Sequence, residues 1–216
     1  MDNLDDSPNW LTCGACGNVG GTGSTPTSTV LAGNSVPSED GRSTEFSIAA
    51  TVPFTNTYWY EKHTALHSQF ALLTYEFDLF VPTASQNAPQ AIEFECQQTL
   101  NGWVYNFSWQ ADYAGNQWRI FNYATKHWES TAVTLTRFTP GTWHHVLAEY
   151  HNDNATHTVF HDALTIDGVR FPVNITHAAF FSGDTNDQFT NAFQLDSNSH
   201  PDAYNVYVDK MKITYN

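Results

Sequence analysis

The sequence predicts an all-β protein, a two-sheet antiparallel β-sandwich preceded by an irregular lead-in. From about residue 44 onward, polar and apolar residues alternate with a period of two, and β-branched and aromatic residues fill the alternating stretches. Clusters of Gly, Asn, Asp and Pro separate those stretches at short intervals, and no long amphipathic helix interrupts them. At 216 residues, 41% hydrophobic and 15% aromatic, the chain has ample material for the core of one such domain.

In chain order, residues 1–43 read as an irregular segment broken by Gly20, Gly21, Gly23, Pro26 and Pro37. Trp10 and Leu11 predict that it wraps the sandwich, and one edge strand is expected near residues 28–31. Residues 44–216 then form the sandwich. Its expected strands are 44–52, 71–81, 91–98, 103–110, 117–123, 143–151, 156–166, 169–175, 189–195 and 205–214. Asn101-Gly102 and Asp167-Gly168 are hairpin turns, because both residue pairs tolerate the positive φ that tight hairpins demand.

Charge narrows the partners. Against 22 acidic residues there are 8 basic ones, a formal net charge of −14, and no Lys or Arg run. Nucleic acid is excluded as a partner, since its affinity rests on clustered cations, and anionic membranes and uronic-acid polymers make the same demand. A neutral polysaccharide or oligosaccharide fits this balance. No apolar stretch approaches the roughly 18 residues of a membrane span. Met1 is followed by Asp2, Asn3 and Leu4 and not by a basic, then apolar, leader. Abundant Ser, Thr, Asn and Gly with scarce Lys nevertheless point to a secreted, extracellular protein. Of three cysteines, Cys13 and Cys16 form a C-x-x-C that reads as a small disulfide loop or two thiols, since structural zinc needs four ligands. Cys96 reads as a core residue.

The segment Gln90-Ala-Ile-Glu-Phe-Glu-Cys-Gln-Gln98 is the most informative. Alternation sets Glu93, Glu95 and Gln97 on one face and Ile92, Phe94 and Cys96 on the other. The apolar face belongs to the core, so the carboxylates face outward onto solvent or a groove. Residues i and i+2 of a strand stand about 6–7 Å apart, within the range of separations that glycosidases use between two carboxyls.

This segment resembles the catalytic strand of laminarinase-type β-glucanases, in the concanavalin-like superfamily, where Glu-x-Asp-x-Glu or Glu-x-Asp-x-x-Glu supplies nucleophile, helper and acid/base. The resemblance implies a catalytic Glu93 as nucleophile and Glu95 as helper. Gln97 and Gln98 stand where the acid/base Glu belongs, and an amide cannot donate and recover a proton. Residues 75–82, 140–147, 164–169 and 206–215 are similar to the sheet strands of laminin-G-like and pentraxin-like sandwiches. They imply a concanavalin-like jelly roll, a fold shared by lectins, carbohydrate-binding modules, glycosidases and lyases.

Two readings follow. One is a carbohydrate-binding domain with a concave groove, using aromatic stacking and amide or carboxylate hydrogen bonds. The other is a glycoside hydrolase in which Glu76 or Asp78, which share a face, replaces the missing acid. Both predict that Glu93, Glu95 and Gln97 enter a cleft shared with Trp118 or Arg119 and with Glu76 or Asp78. Trp103, Tyr105, Phe107 and Trp109 share one strand face and read as core. Better stacking candidates are Trp118, Tyr123, Trp128 and the Tyr58-Trp59-Tyr60 run, with Arg119 beside them. His145, His151, His157 and His161 could meet across a hairpin, though hydrogen-bonded imidazoles are the commoner outcome. No cofactor is required. Asp5, Asp6 and Asp209 are candidate ligands of one structural calcium, since oxygen-rich sites suit that ion.

Overall fold

The computed structural model describes residues 1–13 and 26–216. Fifteen strands are present among them: β1 Leu11–Cys13, β2 Thr27–Asn34, β3 Ser43–Ala49, β4 Asn56–His63, β5 Leu73–Phe80, β6 Pro89–Leu100, β7 Trp103–Asp112 and β8 Gln117–Asn122. They continue with β9 His127–Thr134, β10 Trp143–Asp153, β11 Thr158–Ile166, β12 Val169–Ala178, β13 Phe180–Phe181, β14 Gln188–Ser197 and β15 Tyr204–Tyr215. One 3₁₀ turn, Thr83–Ser85, joins β5 to β6. No helix among the described residues is long and apolar enough to cross a membrane.

The strands form two antiparallel sheets. One runs β1-β4-β14-β6-β7-β8-β9, with β13 paired to the start of β7, and the other runs β12-β11-β10-β5-β15-β3-β2. The expected hairpin turns form with positive φ at Asn101, Gly102, Asp167 and Gly168. β2 sits on a sheet edge beside β3, where the sequence predicts an edge strand, and β1 pairs with the edge of the other sheet through β4. Strands β4 and β9 escape sequence reading: β4 carries large rings on both faces, and β9 is mostly polar.

Between the sheets lies an aromatic core. Phe94 of β6 packs edge-on to Phe77 and Tyr75 of β5, with centroids 5.0 and 5.7 Å away. Phe193 of β14 meets Phe77 and Phe46 at 6.0 and 4.8 Å. Ile92, Phe94 and Cys96 are buried as alternation requires, and so are Tyr105, Phe107 and Trp109, with Trp103 packed at the margin. Cys96 is a free, buried thiol. Cys13 is disulfide-bonded, and the remainder of the C-x-x-C motif, with Cys16, lies outside the described residues. Trp10 anchors the N-terminal segment against Phe46 at 5.1 Å and donates its indole N–H to the Leu4 carbonyl.

The histidines do not assemble. His145 bonds Asp78, His151 bonds Asp162, and His157 stacks on Trp103 at 3.8 Å. His161 does not meet His145 or His151: the hairpin register sets His151 opposite Phe160 and His161 opposite Tyr150, inside the core. Its ring is fully buried, edge-on to Trp109 and Tyr150, and neither nitrogen makes a well-formed protein hydrogen bond. Burial, followed by the neighbouring His177 charge, pushes its pKa down to about 3.

Two outcomes follow from this core. Phe94→Ala should cost about 3–5 kcal/mol by denaturant unfolding, the usual price of emptying a buried phenylalanine site. Because His161 is neutral in the fold and protonates in the unfolded chain near its ordinary 6.5, stability should fall as pH drops from about 6.5 toward about 3. In His161→Leu, thermal melts across that window should show a shallower acid slope.

Candidate functional site

The outward face of the eight-stranded sheet is built in rows. Strand pairing aligns Tyr58, Gln194, Glu93, Gln110, Arg119 and Ser130 across six strands. The next row holds Tyr60, Ala192, Glu95 and Ser108, and the one beyond it Lys62, Thr190, Gln97 and Asn106. On the other side run Asn56, Asp196, Ala91, Asp112 and Gln117. Cross-strand partners share a face, so this surface is almost wholly polar, with small residues at Ala91, Ala192 and Ser108. Asn106, Ser108, Gln110, Asp112 and Gln194 are nonetheless each less than a tenth exposed. Neighbouring side chains on this face hide one another from solvent.

At its centre is a small cleft of about 10 Å³ lined by Tyr58, Glu93, Glu95, Ser108, Trp128 and Gln194, with Phe94, Ala192 and Phe193 beside them. Three donors converge on Glu95: the Tyr58 hydroxyl on Oε1, with Asn106 Nδ2 at 3.1 Å and Ser108 Oγ at 2.5 Å on Oε2. Glu93 accepts from Gln110 Nε2 at 2.6 Å and from Gln194 Nε2 at 2.7 Å. The same Gln194 nitrogen donates to Asp196 Oδ1 at 2.8 Å. Burial, then the charge of Asp196, pushes the Glu93 carboxyl well above the usual carboxylate range. Arg119 is taken by Asp112, at 2.8 Å.

Aromatic rings border this cluster. Tyr58 and Tyr60 lie 5.8 Å apart, Trp128 packs against Phe121 at 5.1 Å, and Tyr123 contacts Phe180 at 5.4 Å under the Lys126 ammonium. All of these rings keep part of their surface in solvent.

The expected residues divide. Glu93, Glu95, Gln97, Arg119, Tyr123 and Trp128 share the outward side of one sheet. Trp118 does not join them: it is buried against Phe94, Trp109 and Phe138, because it alternates with Arg119 onto the core side. Trp59 is core for the same reason. Glu76 and Asp78 lie on β5 of the opposite sheet and line a separate depression with His145, Lys210 and Lys212. There they are engaged by Lys212 at 3.1 Å and by Lys210 at 3.3 Å, so they belong to no cleft with Glu93. Alternation reveals which residues share a face of a strand, but not which sheet the strand joins.

Asp5, Asp6 and Asp209 are each engaged by protein groups. Asp5 accepts from the Met211 amide, Asp6 pairs with Arg42 at 2.9 Å, and Asp209 accepts from Ser38 Oγ and the Glu39 and Lys210 amides. Burial raises Asp5 to about 7. Among the described residues no group of three or more His, Cys, Asp or Glu side chains is arranged to hold a metal ion.

Sequence reading passed over Gln110, Gln194 and Asp196. The signal was available in residues 188–197, where period two sets Thr190, Gln194 and Asp196 opposite Phe189, Phe193 and Leu195.

No family model matches the chain, and no curated protein sequence does either. Solved structures match nearly all of it. The alginate lyase Aly36B, solved with an alginate trisaccharide, is 10% identical with a TM-score of 0.54, over 97% of this chain and 99% of that one. A carbohydrate esterase of the Shiga toxin-encoding bacteriophage phi24B is 12% identical with a TM-score of 0.53, over 96% and 90%. The likeness is one of fold. A carbohydrate-binding module of the β-sandwich superfamily matches at 10% identity and a TM-score of 0.49; this chain spans 59% of its length.

The Tyr58 hydroxyl is the one donor that reaches Glu95 from β4. Tyr58→Phe should lower stability by about 1.5–3 kcal/mol in urea unfolding, the range for a hydrogen bond to a charged group, without altering the far-ultraviolet dichroism of the sheets.

Proposed function

We propose that this protein is a carbohydrate-binding β-sandwich that takes a neutral polysaccharide or oligosaccharide along the outward face of its eight-stranded sheet. The observation that carries the reading is the pair of adjoining rows in which Glu93, Glu95, Gln110 and Gln194 form a hydrogen-bonded floor beside the rings of Tyr58, Tyr60 and Trp128. Flat rings cover the apolar faces of pyranoses, while carboxylates and amides match hydroxyls, which donate and accept together. Charge favours a neutral ligand: the carboxyls of this face outnumber its cations, and Arg119 is neutralised by Asp112. A uronate chain would meet repulsion here. The same reading has the protein act outside the cell, on composition alone.

A second reading, glycoside hydrolysis, is favoured by one observation. Glu93, whose carboxyl burial pushes well above the usual carboxylate range, stands two residues from Glu95, whose carboxylate is braced by three donors. A protonated acid beside an oriented carboxylate is the arrangement that glycosidic cleavage uses.

Calorimetry with soluble oligosaccharides of cellulose, β-1,3-glucan, xylan and mannan tests both. At least one should bind, and Trp128→Ala and Glu95→Gln should each weaken it by about tenfold or more, the loss of one stacking ring or one charged hydrogen bond. No binding by any of the four at millimolar concentration would end the carbohydrate reading. Release of reducing ends that disappears in both Glu93→Gln and Glu95→Gln would establish hydrolysis, and its absence in the wild type would remove it.

A further inference from the structure

Asp196 has no place in the two-carboxylate scheme read from the sequence, yet a single side-chain nitrogen on its own strand ties its carboxyl to that of Glu93 on the neighbouring strand. Both also draw on one nitrogen, Gln194 Nε2, at 2.7 and 2.8 Å. Gln110 Nε2 supplies the other donor to Glu93, and neither carboxyl is paired with a Lys or Arg side chain among the described residues. Two carboxyls that share one donor nitrogen, drawn out of water and without a cation, cannot both hold a negative charge at ordinary cost.

We propose that Glu93 and Asp196 act as one acid unit that holds a single proton between β6 and β14, so that the hydrogen-bonding character of the groove floor changes with pH. Asp196 is in this scheme a positioning residue that acts through Glu93. The proposal deepens the carbohydrate reading and rests on it only for its consequence in binding.

The surroundings agree. Burial raises both groups, and the Asp196 charge raises Glu93 further, so the pair retains one proton where two separate carboxyls would have lost both. The other charged or titratable groups that bear on the pair are Glu95 of β6, Asp112 of β7 and the phenols of Tyr204 and Tyr113. Glu95 and Asp112 add negative potential, which favours retention of the proton. Arg119, the nearest cation in the row, is spent on Asp112. When the proton leaves at higher pH, a second charge appears in the floor, the carboxyls repel, and Gln194 can no longer bridge them at two short distances. The macroscopic titration belongs to the pair and not to either residue alone.

The test needs no ligand for its first arm. In protein labelled with ¹³C at side-chain carboxyls, Glu93 and Asp196 should shift together in one transition above the ordinary carboxylate range of about 4. That transition should vanish in both Asp196→Asn and Glu93→Gln, the second variant guarding against a first that folds poorly. Two independent transitions near ordinary values, or a high transition that survives Asp196→Asn unchanged, would overturn the proposal. In the second arm, affinity for a β-1,3-glucan hexasaccharide should fall about tenfold as pH rises through that transition, and Asp196→Asn should flatten the profile. Hexasaccharide binding with a flat wild-type profile would overturn the coupling while leaving carbohydrate binding intact. A pair that titrates as a unit in a protein that binds no sugar would uphold the shared proton and remove the carbohydrate reading.

Discussion

The contact of Phe94 with Tyr75 and Phe77 fixes more of this molecule than any other. It joins the central strand of one sheet to the central strand of the other, and the rings of Phe193, Phe46 and Trp59 extend the seam toward β3 and β4. A pleated strand cannot bury both of its faces here. Once Ile92, Phe94 and Cys96 enter the core, Glu93, Glu95 and Gln97 must leave it. The acidic outer face is therefore the reverse side of the aromatic interior, and a slip of one residue in β6 would exchange them.

That coupling explains why so much of β6 and β7 was legible in the residues themselves. Trp103, Tyr105, Phe107 and Trp109 announce a buried face, and Asn101-Gly102 announces the turn that sets the two strands in register. Legibility ends where information is not local. Which sheet β5 joins depends on how the chain crosses between layers, and nothing in Glu76 or Asp78 records it. The expected meeting of His161 with His145 or His151 assumes a hairpin register that the residues do not record; the actual register sets His161 opposite Tyr150, on the buried side of β11 with Val159. Strand β9, with Glu129, Ser130 and Thr131 on its two faces, has too little contrast between them for alternation to be visible. Trp118 was read from its residue type and polar neighbours, whereas its position beside Arg119 already assigned it to the opposite side.

The electrostatics of the sandwich separate into two styles. On the seven-stranded sheet several carboxylates are matched by cations, Glu76 by Lys212, Asp78 by Lys210 and Glu149 by Arg170, while Asp209 is held by a hydroxyl and two amides. On the eight-stranded sheet, Glu93, Glu95 and Asp196 are matched by amides and hydroxyls, which brace a carboxyl without cancelling its charge. Ion pairs exposed on a surface contribute little to stability and leave little capacity for other partners. Neutral donors leave lone pairs and a local field in reach of whatever enters.

The strands near the start of the chain take the outermost place in each sheet. β1 lies outside β4 and β2 outside β3, so the start of the chain supplies one edge of each sheet. Its first residues are then laced to β15, through Leu4 to Met211 and through the Met1 carbonyl to Ile213. Bare strand edges template pairing with other chains. A chain shortened past residue 34 would leave β3 and β4 as edge strands in place of β2 and β1, one on each layer.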